Sequence, residues 1–336
     1  MSTSNKHEID FVIPWVDGAD PIWYEKKAKY SGLNTGNGNI DARFRDWGIL
    51  KYWFRAVEQY APWVRFVHFV TDNQCPEWLN LDHPKLKWVK HTDYLPEEYL
   101  PTFCSRTIEL NFHRISGIAE QFVYFNDDMF LNTAVTPEDF FYNGKPRDCA
   151  VLTTFSPLEI EDTYTHAQCN DIAVMNTHFN KREVLANNLK LWFNPIYGKY
   201  ILKNLYGLAT RHFSNFQNNH IPSAMLKSTY NLVWELEPHI LHGTCLNKFH
   251  SMSDVNQYIM SYYNICSGNF VPRSPYFGKC YGIERDDEEM LDDMLHERHK
   301  VICINDHAKV SDFEEEKEKL IAAFEEKLPK KSSFER

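Results

Sequence analysis

Phe122-Val-Tyr-Phe-Asn-Asp-Asp-Met-Phe-Leu131 is an apolar run that stops abruptly at two aspartates. Residues 122–125 are aromatic and β-branched, and too few to give a helix a core face, so they read as a buried strand. Asp127 and Asp128 stand where that strand ends, and in an open α/β sheet this is the end where ligands bind. Adjacent carboxylates repel, so two at one point favour a cation, and hard oxygen ligands suit Mg²⁺ or Mn²⁺. Taken alone, the stretch fits a solvated Asp-Asp turn equally well. The surrounding chain decides between the two.

Upstream, residues 9–16 (Ile-Asp-Phe-Val-Ile-Pro-Trp-Val) make a first strand closed by Asp17-Gly18, and residues 64–71 a second, ended by Asp72 and Asn73. Residues 86–90 form a third. Ile49, Trp53, Ala56, Val57 and Tyr60 mark a helix over 46–60 that Pro62 stops, and a helix over 105–120 leads into the strand at 122. This alternation predicts an α/β fold with a doubly wound, mostly parallel, Rossmann-like sheet. Residues 1–155 form that half; residues 156–336 are mainly helical and aromatic-rich, and pack closely against it as one catalytic unit. Three strand ends then carry Asp17, Asp72/Asn73 and Asp127/Asp128 to one mouth, which favours the cation over the turn.

Smaller features follow the same logic. Residues 34–39 read as a flexible polar loop and 149–155 as another strand. Asn218-Asn-His220-Ile-Pro-Ser is a polar cluster opening a helix, with Pro222 in its first turn. Over 311–328 an amphipathic helix turns Phe313, Leu320, Ile321, Phe324 and Leu328 inward behind a Ser311–Glu314 capping box. In the 105–120 helix, Ile108, Phe112, Ile115 and Ala119 form the buried stripe, while Arg106, Glu109 and His113 share the opposite face.

Composition narrows the function. The chain has 336 residues, 43% hydrophobic and 24% charged, within the globular range. Its net charge of −10 excludes general nucleic-acid affinity, which needs a basic footprint. Eight cysteines are scattered without a CxxC pair or tight Cys/His spacing, which disfavours a structural zinc site or a disulfide framework and fits a reducing compartment. No signal-like N-terminus and no run of roughly 20 apolar residues is present, so the expected location is cytoplasmic.

These residues carry a resemblance. Ile9-Asp-Phe-Val-Ile-Pro-Trp-Val-Asp-Gly18 resembles the first signature of the Stealth family of sugar-phosphate transferases. Arg43-Phe-Arg-Asp46, Ala61-Pro-Trp-Val64, Val70-Thr-Asp-Asn-Gln74, Leu100-Pro-Thr-Phe103, Ile108-Glu109, His113-Arg-Ile115 and Phe125-Asn-Asp-Asp128 resemble its second. His220-Ile-Pro-Ser with Asp254-Val-Asn-Gln257 resembles the third, and Cys303-Ile-Asn-Asp306 with Pro329 and Ser333-Phe-Glu335 the fourth. The family spans bacterial capsule and cell-wall polysaccharide phosphotransferases and the catalytic subunit of animal N-acetylglucosamine-1-phosphotransferase; this chain is similar to the bacterial type.

The resemblance implies transfer of sugar-1-phosphate from a UDP-sugar to a hydroxyl on a polysaccharide or lipid-linked oligosaccharide, with UMP released. Phosphoryl transfer needs positioning, a cation against developing charge, and a base for the attacking hydroxyl. Asp127 and Asp128 are the expected metal ligands, Asp128 foremost, and His220 the expected base. Glu109 falls on a motif position, which makes the Arg106–Glu109–His113 stripe an expected active-site wall, with Glu109 orienting a catalytic group or the sugar. Asp17 and Asn73 are candidates for donor contacts, Arg114 is a further one, and Trp15 could stack on uracil. Where family members usually carry an arginine, a bidentate clamp for phosphate, this chain has His250, with Lys248 or Arg273 as substitutes. Two other readings stay open: a metal-dependent glycosyltransferase releasing UDP, and a carbohydrate-binding protein without turnover. A lipid-linked acceptor would bring the protein to the inner face of the plasma membrane through the C-terminal helix or through membrane-associated assembly machinery.

Overall fold

The computed structural model describes residues 8–30, 32, 44–156, 159–306 and 310–336. The polar loop at 34–39 and Arg43 lie outside these residues.

Strands β1 (Ile9–Pro14), β2 (Val67–Thr71), β3 (Leu86–Lys90) and β4 (Gln121–Tyr124) are parallel, in the order β3-β2-β1-β4. The order reverses between β1 and β4, and the crevice at the carboxyl ends of those two strands is the place such a sheet offers a ligand. Two further strands matter to the site: β5 (Met129–Leu131), directly after the aspartates, and β6 (Ser223–Leu226), which pairs antiparallel with β4 and closes that edge. A second, three-stranded sheet orders β7 (Gly278–Gly282), β8 (Val301–Asn305) and β5. Asp127 and Asp128 therefore bridge two sheets. A strand from the second half of the chain completes the first sheet, and one from the first half completes the second.

Both faces of the large sheet are buried, as its continuous apolar runs require. Ile9, Phe11 and Ile13 face one core with α1 (Leu50–Tyr60) and α5 (Phe313–Lys327), while Val12, Val70, Phe122 and Tyr124 face another with α3 (Lys227–Leu236) and α4 (Tyr258–Ser267). The doubly wound α/β expectation holds. Helix α1 starts later than 46 because Asp46 accepts the N–H of Gly48, whose φ of 70° makes a turn there.

Three local expectations fail. The helix expected over 105–120 is only α2 (Ser105–Glu109) followed by a 3₁₀ turn, Phe112–Arg114. The buried Asn111 amide donates to the Thr107 carbonyl at 2.8 Å and its oxygen accepts from Arg114, a local competition that draws the backbone out of the helix. The strand at 149–155 shrinks to Leu152–Thr153, paired with Asn215–Phe216. Asp312 rather than Ser311 caps α5, accepting from the N–H of Glu315 at 3.1 Å, because Ser311 is drawn to Glu284. Helix α5 is itself pinned, Phe324 stacking on Tyr52 and Glu325 pairing with Arg55. Among the described residues no helix is long and apolar enough to cross a membrane.

Candidate active site

The β4–β6 register builds the site. Ser223 pairs with Tyr124, so His220, three residues before Ser223, is brought level with the Asp127-Asp128 pair, three and four residues after Tyr124. The region 220–226 is thus a loop and strand, not the opening of a helix: Ala224, Met225 and Leu226 are buried against β4, and the helix waits until Lys227. His220 adopts a left-handed backbone (φ 48°), held by Asn218, whose side-chain oxygen accepts the His220 N–H at 2.8 Å. Its ring sits between two partners, with Nδ1 3.0 Å from the Tyr258 hydroxyl and Nε2 3.4 Å from Asp128 Oδ2.

Strand β8 supplies the other wall. The N–H of Ile304 donates to the Asp128 carbonyl at 2.8 Å and the Asn305 amide to Asp128 Oδ2 at 3.3 Å. Asp128 Oδ1, in contrast, is buried and has no hydrogen-bond partner, an expensive state for a carboxylate oxygen. Ligand atoms of Asp128, His220 and Cys303 all lie within 4.8 Å of one another, close enough to share one ion. Of the three, the Asp128 carboxylate is the hard oxygen donor that Mg²⁺ or Mn²⁺ prefers, whereas the His220 ring and the buried Cys303 thiol are softer donors.

Charge is poised to match. Burial works to raise the Asp128 carboxyl, but the His220 ring and the hydrogen bonds from His220, Cys303 and Asn305 carry it below its usual range. His220 moves reciprocally: burial lowers it, the Asp128 charge outweighs burial, and the imidazole holds its proton more tightly than usual. Asp127 is pushed up to about 8, first by desolvation, then by the charges of Asp128 and Asp46. Its carboxylate is nevertheless open to solvent. A crowded yet accessible acid describes the floor of a cleft.

Glu109 joins from below. It is buried, its carboxyl raised by desolvation against hydrogen bonds from Tyr124 and Ser105. The Tyr124 hydroxyl lies 2.9 Å from Glu109 and also contacts Asn126, next to Asp127. Ser105 in turn is 3.2 Å from Nε2 of His250. A continuous polar chain runs from His250 through Ser105, Glu109 and Tyr124 to Asn126.

The wall reading of the Arg106–Glu109–His113 stripe needs correction, because the broken helix sends the three side chains to different partners. His113 is buried against Tyr230 and kept neutral, burial taking it down to about 3. Arg106 is buried too, 2.6 Å from Asp254 and donating to the carbonyls of Ser251 and Thr163. Removing one partner of a buried ion pair strands the other, so Arg106→Ala is expected to lower stability by about 3–5 kcal/mol in chemical denaturation. A loss under ~1 kcal/mol would contradict this structural role.

The remaining candidates divide. Gln74 stitches the loops after β1 and β2, donating to the Asp17 carbonyl at 2.8 Å and accepting the Asp17 N–H, which sets Asp17 and the exposed Asn73 at the mouth shared with the aspartates. Trp15 is partly buried against Phe69. Arg114 lies elsewhere, exposed, over the Trp234 ring and donating to Asn111, so the structure gives it no place in this mouth. Lys248 donates to the Leu100 carbonyl at 3.0 Å, and Arg273 lines a small cavity with Tyr258 and Asn218. Tyr258, Tyr124 and Ser105 escaped the sequence reading as site residues, and Asn218 entered it only as part of the polar cluster before His220. The motif Cys303-Ile-Asn-Asp306 did carry a signal for Cys303 and Asn305: it ends an apolar run in an amide and an acid, as the first two strands do.

Residues 7–35 match the family model described as Stealth protein CR1, conserved region 1, and residues 43–148 that of CR2, conserved region 2. Over 334 residues the chain is 41% identical to a capsular polysaccharide phosphotransferase, WcwK, of Streptococcus pneumoniae, with 99% of each chain covered. The chain belongs to the Stealth family. Other members similar to it include the exopolysaccharide phosphotransferase cps2G of Lactiplantibacillus plantarum, 41% identical over 100% of this chain and 98% of that one. The receptor polysaccharide phosphotransferase WefC of Streptococcus oralis is 39% identical, covering 98% and 99%. Among solved structures, the galactosyltransferase LgtC with donor and acceptor sugar analogues aligns over 96% of this chain and 98% of its own, at 9% identity and a TM-score of 0.40, a likeness too weak to carry an argument.

Proposed function

We propose that the protein transfers sugar-1-phosphate from a UDP-sugar to a glycan hydroxyl, forming a phosphodiester and releasing UMP, in the synthesis of a capsular or other cell-surface polysaccharide. The observation that carries this reading is the Asp128–His220 pair at the switch point of the sheet, in a chain alike over its full length to polysaccharide phosphotransferases. His220 is the base. With Nδ1 engaged by Tyr258, Nε2 faces the Asp128 side of the cleft, where an acceptor hydroxyl would give up its proton. Asp17 and Asn73 border the mouth from the neighbouring strand ends and would contact the donor. Glu109, through Tyr124, positions the floor of the cleft and touches no reacting atom.

Mg²⁺ or Mn²⁺ held by Asp127 and Asp128 would neutralise the charge that grows on the departing UMP. The partnerless Asp128 Oδ1 supports such an ion. Chelation with EDTA is accordingly expected to abolish turnover, and added Mg²⁺ or Mn²⁺ to restore it; full activity in chelator would remove the ion from the account.

The test is product analysis. Purified protein, a divalent cation, a panel of UDP-sugars and a bacterial glycan are incubated together, and the glycan is weighed by mass spectrometry. A gain of one sugar plus one phosphate supports the proposal and names the donor. A gain of sugar alone makes the protein a glycosyltransferase, the reading that a strand ending in Asp-Asp also allows.

A further inference from the structure

The helix Ile201–Gly207 is built inside out. A helix of a soluble protein turns its apolar face inward. Here Asn204 is the buried anchor, its amide donating to the carbonyls of Ala150 (2.8 Å) and Trp192 (2.6 Å) while its oxygen accepts the Leu152 N–H at 2.7 Å. Gly207 is pressed so closely on Leu152 that an added Cβ would fall 2.5 Å from its Cδ1. The outward side carries Leu202 (67% exposed), Leu205 and Tyr206 (74%), and Leu208 continues it. Leu189 and Ile196, on the preceding turns, are exposed as well. So many exposed apolar side chains on one short helix and the turns beside it mark an interaction site.

Its charge identifies the partner. No Asp or Glu occurs between Glu183 and Glu235, whereas Lys190, Lys199, Lys203, Arg211 and Lys227 do, in a chain whose net charge is −10. Lys190, Lys199, Lys203 and Arg211 are exposed. A half-open cleft of about 320 Å³ runs beside the helix, between Leu152, Leu202, Lys203 and Tyr206. The surface also adjoins the candidate site: Lys203 donates to Gln217 at 2.8 Å, and Gln217 to Asn219 at 3.0 Å, one residue from His220.

We propose that this helix and its flanking turns seat the protein on an anionic membrane surface, Leu202 and Tyr206 entering the headgroup layer and the lysines meeting lipid phosphates. A protruding apolar stripe with a basic border and a tyrosine is the pattern that partitions into such an interface. The C-terminal helix, considered for this role from sequence, is occupied by its packing against α1. Docking here sets the cleft beside the bilayer, where a lipid-anchored acceptor would present its glycan; that purpose rests on the transferase reading, but vesicle binding does not depend on turnover, so the two fail separately.

The test is co-sedimentation of the full chain with phosphatidylcholine vesicles with or without phosphatidylglycerol. Binding is expected to the anionic vesicles, to weaken in about 0.5 M salt, and to fall about tenfold or more in Leu202→Glu/Tyr206→Glu, with the melting temperature unchanged. Lys190→Glu/Lys199→Glu is expected to erase the preference for anionic lipid. Absence of vesicle binding, or binding equal in wild type and both double variants, overturns the proposal. So does a dimer in light scattering that Leu202→Glu/Tyr206→Glu dissolves, which would assign this face to a second copy of the chain.

Discussion

Asp128→Asn is expected to lower turnover at least about a thousandfold, some 4 kcal/mol of transition-state stabilisation, while leaving the fold intact. The substitution is nearly isosteric, and an amide oxygen can still accept from Asn305. It removes two things at once: the charge that faces His220 and the anionic oxygen that has no protein partner. Stability should move little, because two electrostatic effects offset. The variant loses the pairing with His220, and it also relieves the Asp128 repulsion that, after desolvation, raises the Asp127 carboxyl. Asp127→Asn is expected to fall less far, since Asp127 is solvent-exposed and outside the cluster of ligand atoms formed by Asp128, His220 and Cys303. Steady-state rates and thermal melts of the two variants check this ordering. Equal losses, or a larger loss at Asp127, would contradict it.

His220→Ala is the second large effect, expected to cost about 10²–10⁴-fold in kcat, with the donor KM within a few-fold of wild type. The split matters because a histidine that merely filled space would disturb binding and stability together. Chemical rescue separates the cases further: free imidazole entering the space left beside Tyr258 should return part of the lost rate in the Ala variant and none in the wild type. Tyr258→Phe, which removes only the hydroxyl 3.0 Å from Nδ1, should cost far less than His220→Ala and retain the fold. Failure of imidazole to restore any rate, joined to a loss of donor binding, would make His220 a structural residue.

Much of this site was legible in the chain because it was written at strand ends. The apolar runs at 9–16, 64–71 and 122–125 each stop at an acid or amide, and a parallel sheet must bring such ends together. What stayed hidden was carried by packing or by unexpected backbone. His220 was selected from the right segment with the wrong element, since Pro222 suits a helix start and a strand start alike; only the pairing of Ser223 with Tyr124 tells them apart. The helix over 105–120 failed on a single buried side chain, Asn111, whose hydrogen bonds no periodicity records. Tyr258 and Tyr124 were lost among the many aromatics of the chain, with no spacing to distinguish the two whose hydroxyls meet His220 and Glu109. The strand at 301–305 offered the same pattern as the other strand ends, and its Asn305 now holds Asp128.

The path of a single phosphorus atom tests the central claim most directly. With a UDP-sugar labelled at its β-phosphorus, sugar-phosphate transfer carries the label into the glycan and leaves unlabelled UMP. Label recovered in UDP, with the glycan gaining sugar and no phosphorus, would contradict the account.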